Sequence, residues 1–304
     1  MKPRSAPRRR RQTLMLVAAL ASVSLMGCQP TQPADLGPDG SVPATSACAP
    51  LPKATGGSWQ CTLDEEFNGT RLNRKLWVPQ DTATSGFHSG PECLVDNPNN
   101  ISVGNGVLRL TARKESNAFV CAVRGAPFTT QYTSGQVSTY GTFSQAYGRF
   151  EVRARLPKTS IPGLQESLWL WPDDPTHYGR WPLSGEIDIA EIYSQYNDRA
   201  IPFVHYNNPR DTKVTNNYCM ISDVGQFHTY AVEWTRASIT FIYDGRTCLV
   251  DAWSPVAPQA KPQPFDKPFI VALSQVLGVG TNAFKPSTTP LPASTQIDYV
   301  RVWK

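Results

Sequence analysis

At 304 residues the chain has room for one large domain or two small ones, and all-β domains often run past roughly 200 residues as single units. Hydrophobic residues make up 40% and charged residues 17%, below an average of about 25%, which excludes a disordered chain and a coiled coil. The formal charge of +5 suggests a basic protein, yet Lys2, Arg4, Arg8, Arg9, Arg10 and Arg11 supply six positive charges in residues 1–28, where no acid stands; the remainder carries −1. A nucleic-acid partner needs a basic face on the folded part, and this excess sits in a leader.

In chain order, residues 1–28 have the layout of a secretory signal: a basic start, then an apolar stretch from Leu14 to Met26 that is too short to span a bilayer comfortably. The stretch ends in Leu25-Met26-Gly27-Cys28, which resembles a bacterial lipobox and makes Cys28 the expected lipidation site. Export follows, either as a surface lipoprotein that touches the membrane only through its lipid or as a secreted protein. Residues 29–55 are rich in Pro, Ala, Ser, Thr and Gly and read as an extended tether. From Trp59 to Lys304 the character is uniform, so residues 56–304 form one expected domain. Seven cysteines are an odd number; with Cys28 lipidated, Cys48, Cys61, Cys93, Cys121, Cys219 and Cys248 remain for disulfides. Fifteen connectivities are open, and pairing of sequence neighbours is the simplest expectation. None of the six shows the spacing of a zinc site.

The body reads as β throughout. Residues 107–113, 148–156, 229–234, 238–243 and 296–303 alternate apolar with polar side chains, the mark of strands with one face buried. Gly104-Asn105-Gly106 and Asp244-Gly245 supply turns between such runs. Many short strands with turns, and no long 3.6-period segment, indicate a sandwich or barrel.

The chemistry concentrates in Ser184-Gly185-Glu186-Ile187-Asp188-Ile189-Ala190-Glu191. On a strand, Glu186 and Asp188 share one face while Ile187 and Ile189 take the other. A bulge at Ile189-Ala190 returns Glu191 to the face of the first two acids. Three carboxylates this close cannot all ionise cheaply. Glycoside hydrolysis needs such a set, an ionised nucleophile beside a protonated acid. A calcium site and a solvated acidic strand remain alternatives, although calcium loops use Asn, Asp and carbonyls rather than isoleucines at strand spacing. Trp169, Trp171, Tyr178 and Trp181 precede the motif closely, and an acidic cleft lined with aromatics suits the flat apolar faces of sugars. Trp77, Trp234 and Trp303 sit in strand-like runs and read as core.

These residues resemble glycoside hydrolase family 16, most closely its laminarinase-like members, whose active-site strand has the extra bulge residue. The similarity extends over about residues 60–304. Leu63-Asp64-Glu65-Glu66-Phe67-Asn68-Gly69 resembles the opening strand, Tyr132–Gly135 and Tyr147–Glu151 the middle strands, and Phe227–Trp234 and Ile297–Trp303 the closing ones. The resemblance implies an all-β, concanavalin-like jelly-roll sandwich with a substrate cleft across its concave sheet. It implies Glu186 as nucleophile, Glu191 as acid/base and Asp188 as assisting carboxylate. The implied reaction is endo-hydrolysis of β-1,3- or mixed-linkage β-glucan with retention, by a monomer whose partner is the polysaccharide and whose catalysis needs no cofactor. It also implies a structural calcium with Asp298 as one ligand.

The chain departs from the family pattern in places. Gln165-Glu166-Ser167 stands where Trp-Pro-Ala is common, removing an aromatic and adding an acid near the cleft; Gln136 replaces an arginine; Gln275 lies on the late cleft strand. His205 occupies a position where relatives often have a polar cleft residue, and a satisfied structural histidine fits equally. Trp169, Trp171, Trp181, His205 and Gln275 are therefore the expected substrate contacts. Other readings are a transglycosylase, a hydrolase of another envelope polysaccharide such as a galactan, and a non-catalytic glycan-binding sandwich. The last predicts loss of Glu186 or Glu191, and both are present.

Overall fold

The structure is a computed structural model that describes residues 48–53, 56–208 and 213–304. The leader, Cys28 and the tether up to residue 47 lie outside the described residues. In chain order the strands are β1 (Leu51–Pro52), β2 (Ser58–Trp59), β3 (Cys61–Glu65), β4 (Val78–Pro79), β5 (Cys93–Leu94), β6 (Ile101–Gly104), β7 (Val107–Cys121), β8 (Phe128–Ser138) and β9 (Gly148–Arg155). There follow β10 (Leu164–Pro172), β11 (Glu186–Tyr193), β12 (Ile201–His205), β13 (Lys213–Thr215), β14 (His228–Trp234), β15 (Ile239–Tyr243), β16 (Arg246–Asp251), β17 (Phe269–Leu277) and β18 (Ala293–Trp303). One short helix, α1 (Thr82–Ser85), precedes β5. The five alternating segments of the sequence lie in β7, β9, β14, β15 and β18.

Apart from the small β1–β2 pair, the described strands form two layers of sheet. The cleft sheet runs β13-β12-β11-β10-β17-β8, with β4 also paired to β8. The back sheet runs β7-β18-β9-β14-β15-β16, with β6 on β7 and β3 on the second half of β18. The long β7–β8 hairpin joins them: the start of β7 pairs with β18, and the end of β8 pairs with β17. Among the described residues no open sheet edge is left on that side. Leu168, Leu170 and Ile187 of the cleft sheet and Phe150, Val232 and Val302 of the back sheet belong to one buried apolar cluster. The two sheets therefore pack face to face as an antiparallel sandwich. Trp77, Trp234 and Trp303 are buried in it, as their strand setting indicates.

The three disulfides join sequence neighbours: Cys48–Cys61, Cys93–Cys121 and Cys219–Cys248. The ordered body begins before Gly56. Cys48 is bonded to Cys61, β1 pairs with β2, and Trp303 Nε1 donates to Ala49 O at 2.9 Å. Composition alone assigns residues 48–53 to the tether because it registers neither a disulfide nor a single tryptophan contact.

Candidate active site

The acidic strand is β11, and its bulge lies where the spacing of acids and isoleucines requires. Asp188 faces Trp169 of β10 and Phe203 of β12, while Glu191 faces Ser167 and Ile201. Two residues of β11, Ile189 and Ala190, thus oppose the single Pro202, which has no N–H to leave unpaired. The displaced Ile189 carbonyl would lie orphaned in the core. Tyr243 of β15 reaches across from the back sheet and donates its hydroxyl to it at 2.7 Å. Gly185 opens the strand at φ 83°, and a Cβ there would meet Phe265 and Pro264 at 3.0 Å, so glycine is required before Glu186.

The bulge places Glu186, Asp188 and Glu191 together on the outer face of the cleft sheet, lining one cleft of about 950 Å³. Trp181 Nε1 donates to Glu186 Oε2 at 2.6 Å. His205, directly opposite Glu186 in register, puts Nε2 3.2 Å from Asp188 Oδ2. Glu191 accepts from Gln165 Nε2 at 3.0 Å, from Ser167 Oγ at 3.2 Å and from the Tyr193 hydroxyl. Burial, and then the charge of Asp188, push Glu186 well above the usual carboxylate range, against the pull of His205 and the Trp181 N–H. Burial, and then the charge of Glu191, push Asp188 up likewise. Ionising Glu186 and Asp188 together is therefore costly, which favours one proton shared by the pair. Burial and the Glu191 charge also raise the Tyr193 phenol, which keeps it a donor.

Trp169, Trp171 and Trp181 line the cleft as expected. Tyr178 instead donates to Asp266 at 2.6 Å. Tyr140 and Phe87, which stand in no motif, supply further exposed aromatic walls. Phe87 follows α1, whose start is capped by Asp81, and its ring lies 6.4 Å from that of Trp169. The buried Glu92 accepts from the backbone N–H groups of Ser89 and Gly90 and so pins the loop behind Phe87. Tyr193 and Ser167 were legible in principle, since each lies at strand spacing from a cleft residue. Tyr140 and Phe87 reach the cleft from loops, which carry no such signal.

A family profile, "Glycosyl hydrolases family 16", matches residues 91–299, more than half of the chain. This chain belongs to glycosyl hydrolase family 16. The Beta-glucanase of Rhodothermus marinus is 35% identical over 217 residues, covering 67% of this chain and 70% of that protein. Glucan endo-1,3-beta-glucosidase A1 of Niallia circulans is 29% identical over 264 residues, 81% of this chain and 37% of that protein. The X-ray structure of endo-beta-1,3-glucanase from Pyrococcus furiosus aligns with a TM-score of 0.73 at 26% identity, covering 84% of this chain and 97% of the other. Three curated relatives are much longer, and the chain spans 37%, 40% and 51% of their lengths. The jelly-roll sandwich is the fold these structures share.

Two expectations for this family 16 chain change. Gln275 does not line the cleft: on β17 the cleft-facing residues are Ile270, Ala272, Ser274 and Val276, so parity turns Gln275 into the core, fully buried. There its Nε2 donates to Glu166 Oε1 at 2.8 Å, and its Oε1 accepts from Thr295 of the back sheet. Glu166 likewise adds no acid to the cleft. It lies between the cleft-facing Gln165 and Ser167, points into the sandwich, and is pushed up to about 8 by burial. The Asp298 carboxylate accepts from Arg153 Nη1 at 2.5 Å. A guanidinium supplies there the positive charge an ion would bring.

Proposed function

We propose that the chain is a retaining endo-β-glucanase that hydrolyses β-1,3- or mixed-linkage β-glucan. The observation that carries this reading is the bulged β11, which aims Glu186 and Glu191 into one aromatic cleft with Asp188 between them. In the first step Glu191 gives its proton to the glycosidic oxygen while the Glu186 carboxylate attacks the anomeric carbon, forming a glycosyl ester and releasing the leaving sugar as an alcohol. In the second step ionised Glu191 takes a proton from water, the resulting hydroxide attacks the anomeric carbon, and Glu186 leaves as carboxylate. Asp188, the most deeply buried of the three acids, is where the shared proton costs least; donated toward Glu186, it leaves that residue as the attacking anion. Gln165, Ser167 and Tyr193 hold both oxygens of Glu191 in place. The chemistry is complete with these side chains and calls for no cofactor.

The test is a screen on laminarin, lichenan, agarose and arabinogalactan, with product linkage and the anomer first released read by NMR. The expected result is oligosaccharides from laminarin or lichenan, released first as the β-anomer. Activity on a galactan alone would overturn the substrate, first release of the α-anomer would overturn the retaining mechanism, and binding without turnover would overturn the enzyme reading. Longer products in the presence of acceptor sugar would establish transglycosylation instead. The six paired cysteines suit an oxidising compartment. Lipid attachment at Cys28 predicts membrane fractionation that Cys28→Ser abolishes.

A further inference from the structure

Strand register locates residues along the cleft. Glu191 faces Ser167 of β10, Ser167 faces Ser274 of β17, and Ser274 faces Gln136 of β8. These four form one row across the sheet on the face that lines the cleft. Strands lie about 4.8 Å apart, so Gln136 stands about 14 Å from Glu191, beyond the subsite that holds the reacting sugar.

The orientation of the Gln136 amide follows from its neighbours. Trp169 Nε1 can only donate, and it donates to Ser274 Oγ at 3.0 Å. Ser274 Oγ in turn donates to Gln136 Oε1, also at 3.0 Å. The Gln136 carbonyl is thereby engaged, and its NH₂ group is the free end. Among the described residues no acceptor takes up that group, and the residue lines the cleft. A donor that opens on the cleft and is met by no protein group is available to an acceptor of the ligand. Gly135 keeps β8 in this position, since a Cβ there would lie 2.3 Å from Asn100 O. Exposed Tyr140 and Phe87 rim the same stretch of cleft.

The charge of the cleft restricts the ligand. Among the described residues lining it there are four acids, Asp81, Glu186, Asp188 and Glu191, and no lysine or arginine. A sulfated or uronic glycan would meet repulsion without compensation.

We infer that Gln136, oriented by the Trp169–Ser274 relay, donates to a hydroxyl or ring oxygen of an uncharged sugar at a subsite three strands from Glu191, and that it sets chain-length and charge preference. The inference rests on the glucanase reading and deepens it. The experiment measures kcat and KM on neutral β-1,3-gluco-oligosaccharides of increasing length for wild type, Gln136→Ala, Gln136→Glu and Ser274→Ala, with Tm recorded for each. Both Gln136 variants are expected to raise KM about tenfold on oligosaccharides long enough to reach the subsite, Ser274→Ala to raise it less, and all to match wild type on the shortest substrate cleaved. Equal loss at every length, or no loss at any length, overturns the inference while leaving the glucanase reading intact. Wild type inactive on every neutral β-glucan overturns both. Gln136→Glu keeps the volume of glutamine, so a folding failure of Gln136→Ala does not remove the test.

Discussion

The two outer faces of the sandwich both carry acids, along the single strand β11 on one and across β18, β9 and β14 on the other, but they treat them differently. On the back sheet every acid of the row has a cation. Arg149 bridges Glu151 at 2.6 Å and Glu233 at 2.8 Å, Arg153 meets Asp298 at 2.5 Å, and Arg301 meets Glu66 at 2.7 Å. On the cleft sheet Glu186, Asp188 and Glu191 stand together, with neutral donors around them and His205 beside Asp188. Paired acids lower the energy of a surface modestly; clustered acids without arginines raise it. The difference separates a structural face from a chemical one more sharply than the presence of acids does, because both faces carry them.

The largest effect should come from removing one acid on each face. Glu186→Gln and Glu191→Gln should each lower kcat on β-glucan by about 10²–10⁴-fold while leaving Tm equal or higher, since each relieves repulsion. Glu151→Ala should leave kcat unchanged and cost about 1–3 kcal/mol in urea unfolding, because it leaves the half-buried Arg149 short of a partner. Retention of more than a tenth of kcat by either cleft variant would defeat the assignment of roles.

A third acid belongs to neither face, and its expected effect is next in size. Glu166 lies in the core with one side-chain donor, Gln275, and keeps its proton up to about pH 8, whereas the unfolded chain releases it near 4.5, the ordinary value for a glutamate. Between those pH values the folded state binds more protons, so stability falls as pH rises through the window. Glu166→Gln keeps an acceptor for Gln275 and has nothing to titrate. Its stability relative to wild type should therefore grow from pH 5 to pH 8 by a few kcal/mol, at about 1.4 kcal/mol per unit. A difference that is flat with pH would mean that Glu166 is ionised in the fold.

Glu166 and Gln275 also mark the limit of reading a site from sequence. The β11 motif was legible because the acids, the isoleucines and the two-residue slip define face and bulge without outside information. The alternating segments of β7, β9 and β18 were legible for the same reason. Gln275 was misplaced because β17 is buried on both faces, and a strand of that kind carries no alternation to give its parity. Glu166 was misplaced because a glutamate is rarely fully buried, and only Gln275 and Thr295, remote in sequence, make it tolerable there. Tyr140 and Phe87 depend on loop paths that no local pattern sets.

The bulge itself gives the next prediction. Tyr243→Phe removes the hydroxyl that satisfies the Ile189 carbonyl and should cost about 1–3 kcal/mol in urea unfolding. Because the bulge alone returns Glu191 to the face of Glu186, kcat should fall with little change in KM. Loss of stability with kcat intact would show that the ladder holds the bulge without help from the back sheet.

The smallest effect concerns Asp298. If a calcium ion held this part of the back sheet, EDTA would lower Tm and added calcium would restore it. With Arg153 on the carboxylate and stacked 4.8 Å from the Phe227 ring centroid, the charge is already met from within the chain. Tm should therefore be the same in EDTA and in calcium. Arg153→Ala should cost under about 1 kcal/mol, the usual value for a pair this exposed. The same variant frees Asp298 for an ion, so calcium should stabilise Arg153→Ala and leave wild type unchanged. Calcium stabilisation of wild type equal to that of the variant would mean that the arginine does not occupy the ion's place.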